Sequence, residues 1–143
     1  MPLIMIAVVA ASLTLPANQA ASRFVGTWVA ELDQTRYVRL ELAQANNGVL
    51  GGALALGNIE VDGQGEVRAA TAAPADLTPI FDVALRGSTL SFARKDGDDT
   101  DRFEVVLASD HAELRLIPSD ADKAELAAAG IPVPKPVRMR KLP

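Results

Sequence analysis

Residues 24–32 read FVGTWVAEL, and every second position from Phe24 is apolar or glycine. Successive side chains of a β-strand point to opposite faces, so this period of two predicts a strand with one face toward a core. Phe24, Trp28 and Leu32 fall on the inward face. The polar residue Glu31 falls on the outward face.

The same period continues along the chain, and clusters of Gly, Asn, Asp and Pro interrupt it about every ten residues. This pattern is typical of hairpins in a sandwich or barrel. The predicted strands cover residues 24–32, 37–42, 49–56, 59–68, 81–85, 89–93, 103–107, 113–117 and 137–142. The pattern is weakest in 59–68, where Asp62-Gly63-Gln64-Gly65 interrupts the strand. Residues 69–79 are expected to form an irregular connection across one end. The predicted fold class is all-β, a single antiparallel up-and-down barrel of about eight strands.

One short helix is predicted near the C-terminus. Ser119 follows Pro118 and has the side chain of an N-cap, and Asp122 stands three positions later, as in a capping box. The helix is expected to stop at Gly130, because the prolines that follow forbid helical geometry.

The N-terminal segment is predicted to be a secretory signal peptide. No residue from Leu3 to Leu15 is charged, and Pro16 and a run of small residues follow. The apolar run is too short to span a bilayer core of roughly 30 Å. We therefore expect residues 1–21 to be a signal peptide cleaved near Ala20 and residues 22–143 to be the barrel domain. The mature protein is expected to be periplasmic or secreted, without a stable membrane span. A buried N-terminal strand or helix is the alternative, disfavoured because charged, periodic sequence begins abruptly at Arg23.

Composition excludes several classes of function. The chain has no cysteine, and its 14 basic and 18 acidic residues give a net charge of −4, which is unlike a nucleic-acid binder. The only histidine, His111, lies in a predicted turn beside Ser109 and Asp110, whose neighbouring side chains are expected to point apart. No nucleotide, phosphate or hydrolase motif is present. We predict no enzyme, no cofactor and no metal site.

Two charged clusters admit more than one interpretation. Residues 96–101 hold four carboxylates, which suit calcium but are more often a solvated turn. Near the C-terminus four basic residues stand beside three prolines. They would suit an anionic surface, although a strand protected from aggregation by its own charges is the favoured interpretation. The four are Lys135, Arg138, Arg140 and Lys141.

Gly26-Thr27-Trp28, at the start of the first strand, resembles the Gly-x-Trp motif that opens lipocalin and wider calycin barrels. It is equally similar to the start of small bacterial exported β-domains, which continue with alternating Leu strands and whose fold implies no ligand. The resemblance loosely covers residues 22–142, and a meander, a short helix and a closing strand are the order it implies. It also implies that Trp28 plugs the closed end and packs against a basic side chain of a late strand, here Arg138 or Arg140. Gly26 is expected to permit close packing or a bend.

Two functions remain open at this point. The first is a non-catalytic exported barrel that binds a small apolar or amphipathic molecule in an interior lined by Phe24, Trp28, Leu40, Phe92 and Phe103. The second is a packed barrel of the cell envelope without a small ligand, which contacts a protein partner through a strand edge or residues 69–79. In either case we expect a monomer or a weak dimer.

Overall fold

The computed structural model describes residues 17–143, so the first 16 positions of the predicted signal peptide lie outside the described residues. Two helices and ten strands follow one another along the described chain. They are α1 Ala17–Ser22, β1 Gly26–Leu32, β2 Thr35–Gln44, β3 Leu50–Leu56, β4 Ile59–Val61, β5 Val67–Ala70, β6 Thr78–Arg86, β7 Thr89–Asp96, β8 Asp99–Leu107, β9 Ala112–Ile117, α2 Asp120–Ala128 and β10 Val137–Lys141.

Eight of these strands close into a barrel in the order β1-β10-β9-β8-β7-β6-β3-β2, and each neighbouring pair is antiparallel. Closure leaves the barrel strands without free edges. The predicted fold class is confirmed, including the one short helix near the C-terminus. That helix begins with the predicted capping box, in which Ser119 and Asp122 exchange hydrogen bonds.

The strand register defines two ends of the barrel. At one end, Gly26 lies opposite Leu42, Gln44 lies opposite Leu50, and α1 precedes β1. We call this the closed end, because Ala21 of α1 is buried there against the core. At the other end lie the turns β1–β2 and β7–β8 and the segment 131–136, and we call this end the mouth.

β4 and β5 stand outside the barrel and pair only with each other. The prediction of one strand over 59–68 is therefore wrong, because residues 62–66 form a tight turn in which the Asp62 side chain accepts the backbone N–H groups of Gln64 and Glu66. The connection predicted over 69–79 differs too. Its irregular part runs along the outside of the barrel, where the Ala73 N–H donates to the Arg36 carbonyl.

Side chains fill the barrel from the closed end upward. Those exposed by less than 2% include six from the inner face, namely Phe24, Leu40, Leu54, Leu90, Val105 and Met139. Fully burying such a side chain contributes about 1.5–3 kcal/mol to the stability of the fold. Among the described residues, no helix is long and apolar enough to cross a membrane.

Candidate ligand-binding site

Four of the five side chains predicted to line a ligand cavity belong instead to the packed core. Phe24, Trp28, Leu40 and Phe92 are at most 5% exposed and sit in one continuous cluster. Only Phe103 borders open space, and its ring stacks on Phe92 with centroids 5.6 Å apart. The open space therefore lies toward the mouth.

Trp28 is buried in the core cluster, on the side of the barrel toward the closed end. Its Nε1–H donates to the Phe24 carbonyl at 2.8 Å, so the one polar atom of the indole is satisfied. The Nζ of Lys141 lies 5.6 Å from the ring centroid, in a cation–π contact. Gly26 makes room for it, because a Cβ there would lie 2.5 Å from Lys141 Cε and the φ of +135° suits glycine.

The cation beside Trp28 is thus Lys141, whereas the resemblance to calycin barrels implied Arg138 or Arg140. Both arginines point outward from β10. Arg140 pairs with Glu31 at 2.6 Å, and Arg138 lies 3.6 Å from Asp110. The Pro-rich segment before β10 hid the register, and a shift of one residue exchanges the two faces of a strand.

A largely apolar cavity of about 220 Å³ opens at the mouth. A water molecule occupies about 30 Å³ in the liquid, so this space exceeds that of a few trapped waters. Its apolar walls come from β2, β3, β4, β8, β9 and β10, and its polar side chains are Asp101 and Lys135. The apolar and aromatic members are Tyr37, Val38, Leu56, Ile59, Phe103, Leu114, Leu116, Pro134 and Val137.

A hydrogen bond and an ion pair close one side of this mouth cavity. The Lys135 N–H donates to the Gly65 carbonyl at 2.9 Å, and the Lys135 Nζ lies 3.4 Å from Glu66 Oε1. These contacts tie the β4–β5 hairpin to the segment 131–136, which contributes Pro134 and Lys135 to the cavity wall. We call Gly65, Glu66 and Lys135 the mouth latch.

Tyr37 contributes a phenol to the cavity wall, with 6% of the residue exposed. Burial raises the pKa of this phenol, because the charged phenolate loses hydration there. Among residues 17–143, none forms a hydrogen bond with the hydroxyl. The group is therefore available to a polar atom of a bound molecule.

An inward-facing ion pair, Arg94 with Asp101, lies beside the cavity. The side chains are 12% and 27% exposed, the guanidinium is 3.4 Å from the carboxylate, and Arg94 Cζ stands 5.7 Å from the Phe103 ring centroid. Arg94 Nε is buried without a hydrogen-bond partner in the described chain. β7 continues to Asp96, so Arg94 keeps the parity of Leu90 and Phe92.

A second concave surface adjoins the cavity. This α2 groove, of about 410 Å³, runs between α2 and the barrel, and Asp101 and Leu116 line both spaces. The remaining lining residues are Pro118, Asp122, Glu125, Leu126, Ala129 and Ile131. Helix α2 buries none of its residues, so the groove stays open to solvent along the helix.

His111, the histidine that the sequence singled out, lies beside Asp110. His111 Nδ1 lies 2.6 Å from Asp110 Oδ1, so these neighbouring side chains do meet, contrary to expectation. The hydrogen bond with His111 lowers the pKa of the Asp110 carboxyl, and the positive charge of nearby Arg138 lowers it further by a smaller amount. Within residues 17–143, no three potential ligands come together as a metal site would require.

Comparison with protein-family models, with curated proteins and with solved structures gave no match. The architecture itself therefore defines the class of this protein. It is a closed antiparallel barrel of eight strands, and that architecture is compatible with a lipocalin-like barrel.

Proposed function

We propose that this protein is a non-catalytic, exported, lipocalin-like barrel that binds a small apolar or amphipathic molecule in the mouth cavity. The observation that carries the proposal is the cavity itself, about 220 Å³ of mostly apolar space at one end of an otherwise packed barrel. Apolar concavities with few polar groups are the usual binding sites of small molecules.

The size of the cavity points to a small ligand or to the apolar end of a longer one. Pockets for drug-sized molecules usually measure about 300–1,000 Å³, and this cavity is smaller. Each methylene group that leaves water for the cavity contributes about 0.8 kcal/mol. Affinity is therefore expected to rise with alkyl chain length and to level off once the cavity is filled.

Export agrees with the position of the core along the chain. Cleavage at the end of the predicted signal peptide, residues 1–21, would cut α1 and remove Ala21, which belongs to the core cluster. The barrel strands and the other members of the core cluster all follow this point. Removal of the leader would thus leave the barrel core in place.

Titration calorimetry with straight-chain primary alcohols tests the proposal, because these probes carry no charge. We expect binding whose affinity increases by up to about fourfold per added methylene, the equivalent of 0.8 kcal/mol. Val137→Phe, which inserts a ring into the cavity wall, should weaken binding at least about tenfold. Val49→Phe is the matched control, since Val49 is exposed at the closed end.

Equal binding by the Val137→Phe and Val49→Phe variants would place the alcohols elsewhere. No binding of any alcohol by the unmodified barrel would contradict the proposed function. Circular dichroism of both variants checks that they fold.

The packed interior supports a second candidate, an envelope interaction module without a small ligand. Four of the large apolar side chains that are most exposed stand around the mouth: Ile59, Ile117, Ile131 and Val133. A protein partner would cover such a rim. Failure of all alcohols to bind, together with a dimer or a stoichiometric protein adduct in a native mass spectrum, would favour this candidate.

A further inference from the structure

We infer that the ligand of the mouth cavity is an amphiphile with a cationic, amine-type head, which lies in the α2 groove while its apolar part fills the cavity. This inference rests on the proposed function and specifies the charge of its ligand. It follows from how the two concave surfaces join and from which charges line them.

The cavity and the α2 groove form one path. Asp101 and Leu116 line both, so a molecule whose apolar end lies against Phe103 and Leu116 passes Asp101 as it leaves the cavity. The groove continues the apolar lining with Leu126 and Ile131. A head group attached to a buried chain therefore comes to rest beside Asp101.

Negatively charged side chains outnumber positively charged ones along this path. The α2 groove is lined by three carboxylates, Asp101, Asp122 and Glu125, and by no basic side chain of the described residues. Lys135, which lines the cavity, is paired with Glu66 in the mouth latch, and Arg94 beside the cavity is paired with Asp101. An anionic head group in the groove would thus meet three carboxylates, whereas both nearby cations already have a carboxylate partner.

Asp101 keeps one oxygen for a ligand. Arg94 donates to Asp101 Oδ2 at 3.4 Å, whereas no group in residues 17–143 donates to Oδ1. An ammonium group carries three donors and suits such an oxygen. Glu125 has no ion-pair partner in the described chain, and it adds a second carboxylate along the groove.

The same carboxylates do not suit a metal ion. Asp101, Asp122 and Glu125 share a groove of about 410 Å³, but no three ligand groups of the described chain converge on one point. A diffuse negative charge beside apolar walls fits an organic cation with an attached hydrocarbon chain.

Calorimetry with three probes of equal chain length tests this inference: octylamine, octan-1-ol and octanoate. At about pH 7 the amine is protonated and the acid is ionised. We expect octylamine to bind about three- to tenfold tighter than octanol, and octanoate to bind more weakly than octanol. Raising the ionic strength from about 0.02 to 0.5 M should reduce these differences, because the groove is open to solvent.

Two variants locate the charges responsible. Asp101→Asn and Glu125→Gln should each lower the preference for octylamine over octanol by at least about twofold, and Glu125 is exposed on α2, where the fold does not depend on it. Asp82→Asn is the matched control. It removes one negative charge from the outside of β6 and should leave the preference unchanged.

The outcomes separate this inference from the proposed function. Octanol binding with octanoate equal to or tighter than octylamine overturns the cationic head group and leaves the apolar cavity in place. An amine preference that survives in both variants also overturns the assignment to the α2 groove. If none of the three probes binds, the proposed function fails and this inference fails with it.

Discussion

At the scale of single residues, the alternation of side chains along a strand predicted which of these three core residues face inward, but it did not predict the cavity. Trp28, Leu40 and Phe92 lie on inward faces, as their spacing indicated. Whether an inward side chain contacts another side chain or open space depends on the sizes of the side chains on the other strands of the barrel. The sequence of one strand does not contain that information. Lys141 was missed for a different reason, since its register follows a segment of alternating prolines.

Tyr37→Phe is expected to make the folded state less sensitive to alkaline pH. Burial raises the pKa of the phenol, so its neutral form is favoured in the folded state. This contribution to stability is fully present below about pH 10, the usual tyrosine value, and is lost as pH rises through the folded pKa. Urea unfolding followed by far-ultraviolet circular dichroism between about pH 8 and 11 measures it.

Because Tyr37 is the only tyrosine, the difference between the two proteins isolates its titration from that of the lysines. Parallel loss of stability with pH in both proteins would contradict this prediction.

At the scale of elements, local signals were reliable where they involve a few adjacent residues. The capping box of α2 needs only Ser119 and Asp122, and the structure contains it. The hairpin β4–β5 was read as one strand because its short arms carry the same alternation, and its contact with the segment 131–136 joins residues far apart in sequence.

Gly65→Ala is expected to open the mouth latch. A Cβ at Gly65 would lie 2.6 Å from the Val133 carbonyl oxygen, and the φ of +86° is unfavourable for alanine. Loss of the hydrogen bond from the Lys135 N–H, about 1 kcal/mol, should speed exchange of that amide about fivefold. Hydrogen exchange measured by nuclear magnetic resonance reports it.

Gly63→Ala is the control in the same turn, because a Cβ there meets no atom within 4 Å. The two variants should differ at Lys135 and agree in the barrel strands. Equal protection of Lys135 in both would show that the latch does not depend on the close approach of Gly65.

At the scale of the whole molecule, closure of the barrel depends on pairing between its first and last strands. β1 and β10 pair at Trp28 with Lys141 and at Val29 with Arg140, and the Leu142 N–H donates to the Thr27 carbonyl. The hairpin order of the neighbouring strands was readable from their turns. This long-range seam was suggested only by the resemblance to calycin barrels, since no turn connects its two strands.

A circular permutant is expected to fold because of this seam. The end of β10 lies beside the start of β1, so a short flexible linker from Pro143 to Ser22 spans adjacent positions. New termini between Gly97 and Asp98 fall in the exposed β7–β8 turn. We expect cooperative urea unfolding with a stability loss on the order of 1 kcal/mol.

A permutant with the same linker, opened at Gly52 inside β3, serves as the comparison and should lose the cooperative transition. A similar transition in both permutants would mean that intact barrel strands are not required for folding.

The chain contains one tryptophan and one tyrosine, and the fold places them at opposite ends of the barrel. Trp28 is sealed among core side chains, and Tyr37 lines the cavity. The molecule therefore carries two aromatic residues that report on different parts of the fold. Indole emission is expected to follow the integrity of the core, while the near-ultraviolet absorbance of the phenol is expected to follow occupancy of the mouth, so unfolding and binding can be observed in one unlabelled sample.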